Sequence, residues 1–338
     1  MRIAIVGLGA VGGLIAARLT RAGHPVCALA RGPTLDAVRR HGLRFIDERS
    51  GSPAVAEALD LLVSDRAEHL GPVDLVVLSV KAPALPAVAP QVARLMGRDT
   101  AILSAMNGVP WWMFHGLDRA LAARAWSSID PEGGLARQMP PERVIGAVLH
   151  LASACPEPGV VCHSTGQRLI LGEPAGGQSA RSLAAASVLR SGGFDVEEAP
   201  RIQQELWFKL WGNMTVNPIS AFTGATVDRI VGDPLVRGFM SQVMIEAAEI
   251  GARIGLPITM SPDDRHQVTR KIGAFRSSML QDVDGGRAIE LDTLVGAVRE
   301  IGEAVGVPTP CTDALMGLTR VFARERGLYP RDRSEGAS

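Results

Sequence analysis

Three sets of residues in this chain have the types and spacing to do chemistry. Within Glu205–Pro218, ELWFKLWGNMTVNP, Lys209, Asn213 and Asn217 recur at i, i+4 and i+8. On a helix such positions drift only slowly around the axis, so one ammonium and two carboxamides line one side of the rod. An ammonium can protonate an oxygen that gains charge during reaction, and carboxamides can hold a ligand's oxygens. A solvated helix face would show the same spacing. Against that, asparagine is a poor helix former, and Trp207, Phe208 and Trp211 leave little of this helix for water. The second set is Ser277-Ser278-Met279, Asp282, Gly286-Arg287 and Glu290-Leu291-Asp292. Glu290 there could simply complement a helix dipole from the first turn. The third set is the run Gly7-Leu8-Gly9-Ala10-Val11-Gly12 near the start of the chain.

The elements around the glycine run give it meaning. Arg2–Val6 reads as a strand, Leu14–Ala22 as a helix closed by Gly23-His24, and Val26–Ala30 as a second strand. Strand, GxGxxG, helix, strand is the context of a dinucleotide site. Gly7 permits the tight turn, Gly9 lets backbone approach a pyrophosphate, and Gly12 allows close helix–strand packing. Together with Leu8, Ala10 and Val11 they form the expected cofactor loop, at a helix N-terminus whose N–H groups face the phosphates. An NAD site would place an acid at the end of the second strand. Here Leu29-Ala30-Arg31-Gly32 has none before Asp36, and Arg31 can pair with a 2′-phosphate, so NADPH is expected. Arg31 could also be an ordinary surface residue. Val73–Val80 reads as a central parallel strand buried on both faces. Lys81 follows it on the ligand-binding edge, where it could equally cap a helix. Pro86–Met96 reads as a helix and Ala101–Met106 as the next strand, ended by the turn pair Asn107-Gly108.

Ala125–Ile129, Val144–Ala152, Val160–His163 and Arg168–Leu171 read as short strands of an antiparallel extension, followed by a Ser182–Leu189 helix and a Phe194–Glu197 strand. From Ile202 the pattern is helical: the Lys209 helix, kinked or ended by Pro218, then Pro234–Ile254, Arg265–Met279, Ile289–Val305 and Thr312–Arg326. One helix is expected to end near Gln281 and another to open at Glu290. Strands first and helices after predict an α/β Rossmann-type N-terminal domain followed by an all-α C-terminal domain. The expected boundaries are 1–199 for cofactor, 200–328 for the helical substrate and catalytic domain, and 329–338 for a polar, disordered tail, with the site in the cleft between the domains. A chain of 338 residues has room for both. Lys plus Arg equals Asp plus Glu at 35 each, with no basic block, which argues against nucleic acid and anionic membranes. No apolar run is long enough to span a bilayer, and the glycine-rich start lacks a signal peptide's basic region. Four cysteines without metal-ligand spacing point to a reduced cytoplasmic setting and no metal.

Taken together, these motifs resemble the ketopantoate reductase (2-dehydropantoate 2-reductase) family. The resemblance runs from Met1 to about Leu328 and rests on Gly7/Gly9/Gly12, Arg31, Val80-Lys81, Asn107-Gly108, Trp207-Phe208-Lys209-Leu210 with Asn213 and Asn217-Pro218, and Ser277–Asp282 with Gly286-Arg287 and Glu290-Leu291-Asp292. It implies NADPH-dependent reduction of 2-dehydropantoate to pantoate, a step of pantothenate and coenzyme A biosynthesis. Lys209 would be the general acid that protonates the keto oxygen as hydride arrives. Asn213 and Asn217 would hold substrate oxygens, Ser278 the carboxylate side, and Glu290 the hydroxyl while also meeting the cofactor. Asn107 would lie at the nicotinamide end, with Arg31 and Lys81 serving the phosphates. The chain departs from the family pattern at Val109-Pro110-Trp111-Trp112 and at Ser127-Ser128-Ile129-Asp130-Pro131. These departures leave open another 2-keto acid, or a reaction of the 3-hydroxyacid or glycerol-phosphate dehydrogenase type. A non-catalytic dinucleotide sensor would not need Lys209, Ser278 and Glu290 together. The expected partner is a small keto acid. Oligomeric state is not readable from sequence, and a homodimer is one option.

Overall fold

The computed structural model describes residues 1–50 and 56–330. The contacts of the chain divide it into two compact units. One comprises Met1–Met106, Trp111–Ala123 and Gly133–Glu205, and the other Asn107–Pro110, Arg124–Glu132 and Leu206 onward. The expected tail lies, from residue 331, outside the described residues.

The first unit is built on a sheet of ten strands among the described residues: β1 (Ile3–Val6), β2 (Val26–Leu29), β3 (Leu43–Asp47), β4 (Glu57–Leu59), β5 (Leu62–Ser64), β6 (Val73–Leu78), β7 (Met96–Ser104), β8 (Val144–Ala154), β9 (Val160–Gly172) and β10 (Asp195–Glu198). Their order is β4-β3-β9-β8-β7-β6-β1-β2-β5, with β10 also paired to β9. Neighbours from β5 through β8 are parallel, as are β3/β9 and β10/β9, whereas β8/β9 and β3/β4 are antiparallel. Parallel strands buried on both faces need continuous apolar runs. β1 (IAIV) supplies one, with all four residues buried. The Ala10–Arg21 helix lies against this sheet, and Gly13 makes the approach possible, since a Cβ there would stand 2.3 Å from Val161.

Several expectations are corrected here. Val160–His163 and Arg168–Leu171 are one strand, β9; Gly166, at φ +70°, absorbs a register shift against β8, as glycine does at a bulge. Ala125–Ile129 is not a strand. The backbone N–H groups of Ile129 and Asp130 both bond back to the Trp126 carbonyl, so the segment closes as a turn with a single Trp126–Asp130 bridge. β6 ends at Leu78 rather than Val80, and the next strand covers Met96–Ser104 rather than Ala101–Met106.

The second unit is helical. The Ile202–Thr223 helix, whose first turn belongs to the sheet unit, continues past Pro218, so the proline does not end it. Its Trp207 and Trp211 are almost fully buried. Trp211 donates Nε1–H to the Met244 carbonyl at 2.7 Å, and a Cβ on Gly251 would stand 2.4 Å from Trp207. Met244 and Gly251 belong to the Pro234–Arg253 helix, so two indoles and one glycine set how these two helices meet. Truncating such a buried indole to alanine typically costs about 3–5 kcal/mol. The expected Arg265–Met279 helix is instead Pro262–Arg270, followed by a break at Gly273 (φ +76°) and a new helix, Ser278–Asp284. Gln281 therefore sits inside a helix rather than at its end. The Ser277 hydroxyl, 3.1 Å from the Leu280 N–H, caps that new start. After Glu290 the chain takes one π-helical turn, Asp292–Gly296, before the regular Ala297–Val305 helix, and Pro310–Glu325 follows.

Candidate active site

In the sheet unit the glycine loop leaves β1 through Gly7, whose φ of +96° is a conformation side chains resist. A Cβ on Gly12 would fall 2.0 Å from the Gly7 carbonyl oxygen and 2.2 Å from the Ser79 hydroxyl. Gly9 is the opposite case, exposed and with nothing within 4 Å of where its Cβ would be. The Gly13 N–H makes a helical bond back to the Gly9 carbonyl at 2.8 Å. The N–H groups of Ala10, Val11 and Gly12 precede it and point from the helix N-terminus. Leu8 is buried and pins the loop from below. Ser79 is a residue that sequence reading missed: its hydroxyl lies 3.0 Å from the Val6 carbonyl and 2.9 Å from the Gly7 carbonyl, holding the turn to β6. An open glycine beside unpaired N–H groups fits a pyrophosphate. Arg31 is exposed in extended backbone at the start of the Gly32–His41 helix, and Lys81 is half-buried just beyond β6.

In the helical unit, Lys209 is half-buried and donates from Nζ to Oδ1 of Asn107 at 2.9 Å. Burial pushes its pKa down to about 8, and the opposing charge of Glu290, itself buried, pulls it up. Lys209, Asn107 and Glu290 are thus brought together. Asn213 is half-buried and Asn217 only 7% exposed, yet neither carboxamide has a hydrogen-bond partner among the described residues. Neither carboxamide is among the fully buried, unsatisfied side-chain groups, so both keep access to solvent and are free to turn toward a ligand. Ser278 is exposed in the first turn of its helix, while Ser277 is the buried cap. The structure records no contact between the Ser278 hydroxyl and Lys209.

The surrounding residues explain why Asn107 stays in place. Val109 donates its N–H to the Thr293 carbonyl at 2.8 Å, and Gly108, at φ +78°, lies so close to Thr293 that a Cβ would sit 2.6 Å from its hydroxyl. Thr293 belongs to the π-turn that begins two residues after Glu290, and Leu294 of the same turn donates its N–H to the Glu290 carbonyl at 3.2 Å, so one short element braces the Asn107 loop and Glu290. Asp292 accepts a 2.5 Å hydrogen bond from the Tyr329 hydroxyl, and burial raises the carboxyl's pKa although that bond opposes the rise. Further along, the Glu300 carboxylate accepts the N–H groups of Ser127 and Ser128 at 2.7 and 2.9 Å. These bonds hold its pKa below the usual range against the effect of burial. Thr293 and Glu300 carried no signal in one sequence, because their partners lie more than 170 residues away.

A GxGxxG loop opening a helix on a parallel sheet, and a desolvated lysine beside an acid in a helical unit, define a dinucleotide-fold oxidoreductase. Comparisons with known proteins agree. The family model for ketopantoate reductase PanE/ApbA matches residues 3–176, and that for its C-terminal part matches residues 201–323. A curated 2-dehydropantoate 2-reductase from Mesorhizobium japonicum is 40% identical over 97% of this chain and all of its own length. The crystal structure of a candidate ketopantoate reductase from Ralstonia solanacearum superposes with a TM-score of 0.91 at 48% identity, covering 97% of this chain and 99% of the other. A D-mandelate dehydrogenase in ternary complex with NADH and anilino(oxo)acetate shares the fold alone, at TM-score 0.81 and 21% identity over 97% of this chain and all of its own. The chain belongs to the ketopantoate reductase family, and it is an oxidoreductase acting on a CH–OH or keto group.

Proposed function

We propose that the chain reduces a 2-keto acid with NADPH, 2-dehydropantoate to pantoate being the reaction, and that Lys209 is the general acid. The observation that carries this reading is the half-buried Lys209, held by Asn107 at 2.9 Å, with Glu290 favouring its charged form. A general acid works best when its pKa lies near the working pH, and a lysine pushed to about 8 is still mostly protonated at neutrality. The substrate assignment draws on the Mesorhizobium japonicum relative.

The loop residues Gly7 to Gly12 and the N–H groups of Ala10 and Val11 would hold the pyrophosphate, and Arg31 and Lys81 the remaining phosphate charge. A nicotinamide dinucleotide supplies the hydride when bound. The protein's part is to orient and to move one proton. Lys209 gives a proton from Nζ to the keto oxygen as that oxygen gains charge, Asn107 keeps Nζ aimed, and Glu290 keeps it protonated. Asn213 and Asn217 turn their carboxamides to the substrate's polar atoms, and Ser278 and Glu290 meet its carboxylate and hydroxyl.

The test is NADPH oxidation at 340 nm with 2-dehydropantoate beside a panel of other 2-keto acids, with NADH as control. Selective turnover of 2-dehydropantoate with NADPH is expected. Lys209→Ala should lower kcat by about 10²–10⁴-fold while leaving the Kd for NADPH within a few-fold. Lost NADPH binding with an unchanged chemical step would overturn the role of Lys209. Preference for a different keto acid would overturn the substrate.

A further inference from the structure

We infer that the Arg265 guanidinium is an oxyanion-binding subsite on the flank of the Lys209 helix, with the carboxylate of the keto acid as its ligand. The inference rests on the reductase reading above for the identity of that ligand. Arg265 projects from the Pro262–Arg270 helix onto the face of the Ile202–Thr223 helix formed by Phe208 and Gly212. Its guanidinium carbon lies 5.1 Å from the centre of the Phe208 ring. It fills the space that a side chain at 212 would need, since a Cβ there would come within 2.5–3.0 Å of three guanidinium atoms. Gly212 is three residues on from Lys209, and side chains at that spacing are neighbours on a helix surface, about 5–6 Å apart at Cβ.

This cation has no countercharge. Among the described residues no carboxylate and no carbonyl accepts from the guanidinium, and its Nε is buried without a partner. Burial lowers its pKa, and no acid acts in the other direction. Stacking on an aromatic ring replaces part of the lost hydration but leaves the in-plane N–H groups unused. The charges at Lys209 supply the other half of the argument. Lys209 and Glu290 together sum to zero, and the residues assigned to the substrate's carboxylate and oxygens, Ser278, Asn213 and Asn217, are neutral. A 2-keto acid brings one negative charge that this set leaves unmatched. Arg265 is an uncompensated cation one helix turn away, and a planar fork of donors suits a carboxylate or a phosphate oxygen pair.

The experiment follows ligand binding by tryptophan fluorescence, with Trp211 6.1 Å from Phe208 as a local reporter. Pantoate, inorganic phosphate, NADPH and NADH are titrated into the wild type, Arg265→Met, Arg265→Lys and Gly212→Ala. Methionine keeps the apolar stem without charge. Gly212→Ala displaces the guanidinium without removing it and suits a helix interior, so it stands in should Arg265→Met fold poorly. Arg265→Met and Gly212→Ala are expected to weaken pantoate at least tenfold with both dinucleotides unchanged, and Arg265→Lys to fall between. Weakened NADPH with unchanged NADH and pantoate would move the ligand to a cofactor phosphate, overturning the carboxylate assignment while keeping the subsite. Altered thermal stability with all four ligands unchanged would overturn the subsite itself. A wild type that binds phosphate but not pantoate, with phosphate lost in Arg265→Met, would refute the substrate reading and uphold the subsite.

Discussion

Lys209 loses hydration on folding, and that loss has a measurable sign. Its pKa is lowered from 10.5 to about 8 in the folded chain, so between those values the unfolded chain binds more protons and stability rises with pH. The penalty is fully present below pH 8 and gone above about 10.5. With partial exposure taken into account it amounts to about 1–3 kcal/mol. Lys209→Met should therefore lower kcat by the same factor of about 10²–10⁴ expected of Lys209→Ala and yet raise the melting temperature at pH 7 by a few degrees, on the order of 2–8 °C. The advantage should shrink as the pH approaches 10, which thermal scans at several pH values would show. An equal or lower melting temperature throughout would contradict the burial argument. In wild-type enzyme, kcat for reduction should fall as pH rises through about 8, where Nζ loses its proton. The helical spacing of Lys209, Asn213 and Asn217 was legible in one sequence because period alone encodes it. The lysine's bond to Asn107 was not, because 102 residues separate the two.

At the scale of elements, the π-turn Asp292–Gly296 and the carboxylate of Glu300 hold two segments that carry no regular structure of their own. Glu300→Ala would leave the Ser127 and Ser128 N–H groups without their acceptor. It should cost about 1–3 kcal/mol and speed amide exchange at those two residues, while amides of the Pro234–Arg253 helix keep their protection. Uniform loss of protection would assign Glu300 to the core instead. Gly108→Ala combines a disfavoured φ of +78° with a 2.6 Å clash on Thr293. It should lower kcat by displacing Asn107 from Lys209, with NADPH binding intact; unchanged kcat would mean that Asn107 does not aim the lysine. The Ser127–Pro131 departure from the family pattern thus has a physical account in a carboxylate on a distant helix. The expected strand at Ala125–Ile129 failed for the same reason. The short run between glycine- and proline-rich segments is a local signal, whereas the Glu300 carboxylate that anchors Ser127 and Ser128 comes from more than 170 residues away. Gln281 was misplaced because Ser277 reads equally well as a helix interior or a cap until its partner at Leu280 is seen.

Over the whole molecule, the parallel sheet was the most readable part, since continuous apolar runs such as Leu75–Leu78 have few other uses. Selection between dinucleotides is expected to rest on one exposed guanidinium in that sheet unit. Arg31→Ala should weaken NADPH about 10–100-fold and leave NADH nearly unaffected, as measured by titration of each; equal loss of both would remove Arg31 from the 2′-phosphate. Strand order was less readable than strand existence. β3 follows β2 in the chain yet pairs with β9, joining Arg44 to Val160 and Asp47 to His163.

That pairing has a consequence for how the chain comes off the ribosome. β9 serves β3 and β10 along one edge and β8 along the other, so a single late strand closes three others. Until residues 160–172 emerge, β3 has only β4 beside it, and its second row of amides and carbonyls is bare. Strand edges left open during synthesis are where chains pair wrongly. For this protein the hazardous interval begins when β3 is made and ends only when the second half of the sheet unit arrives.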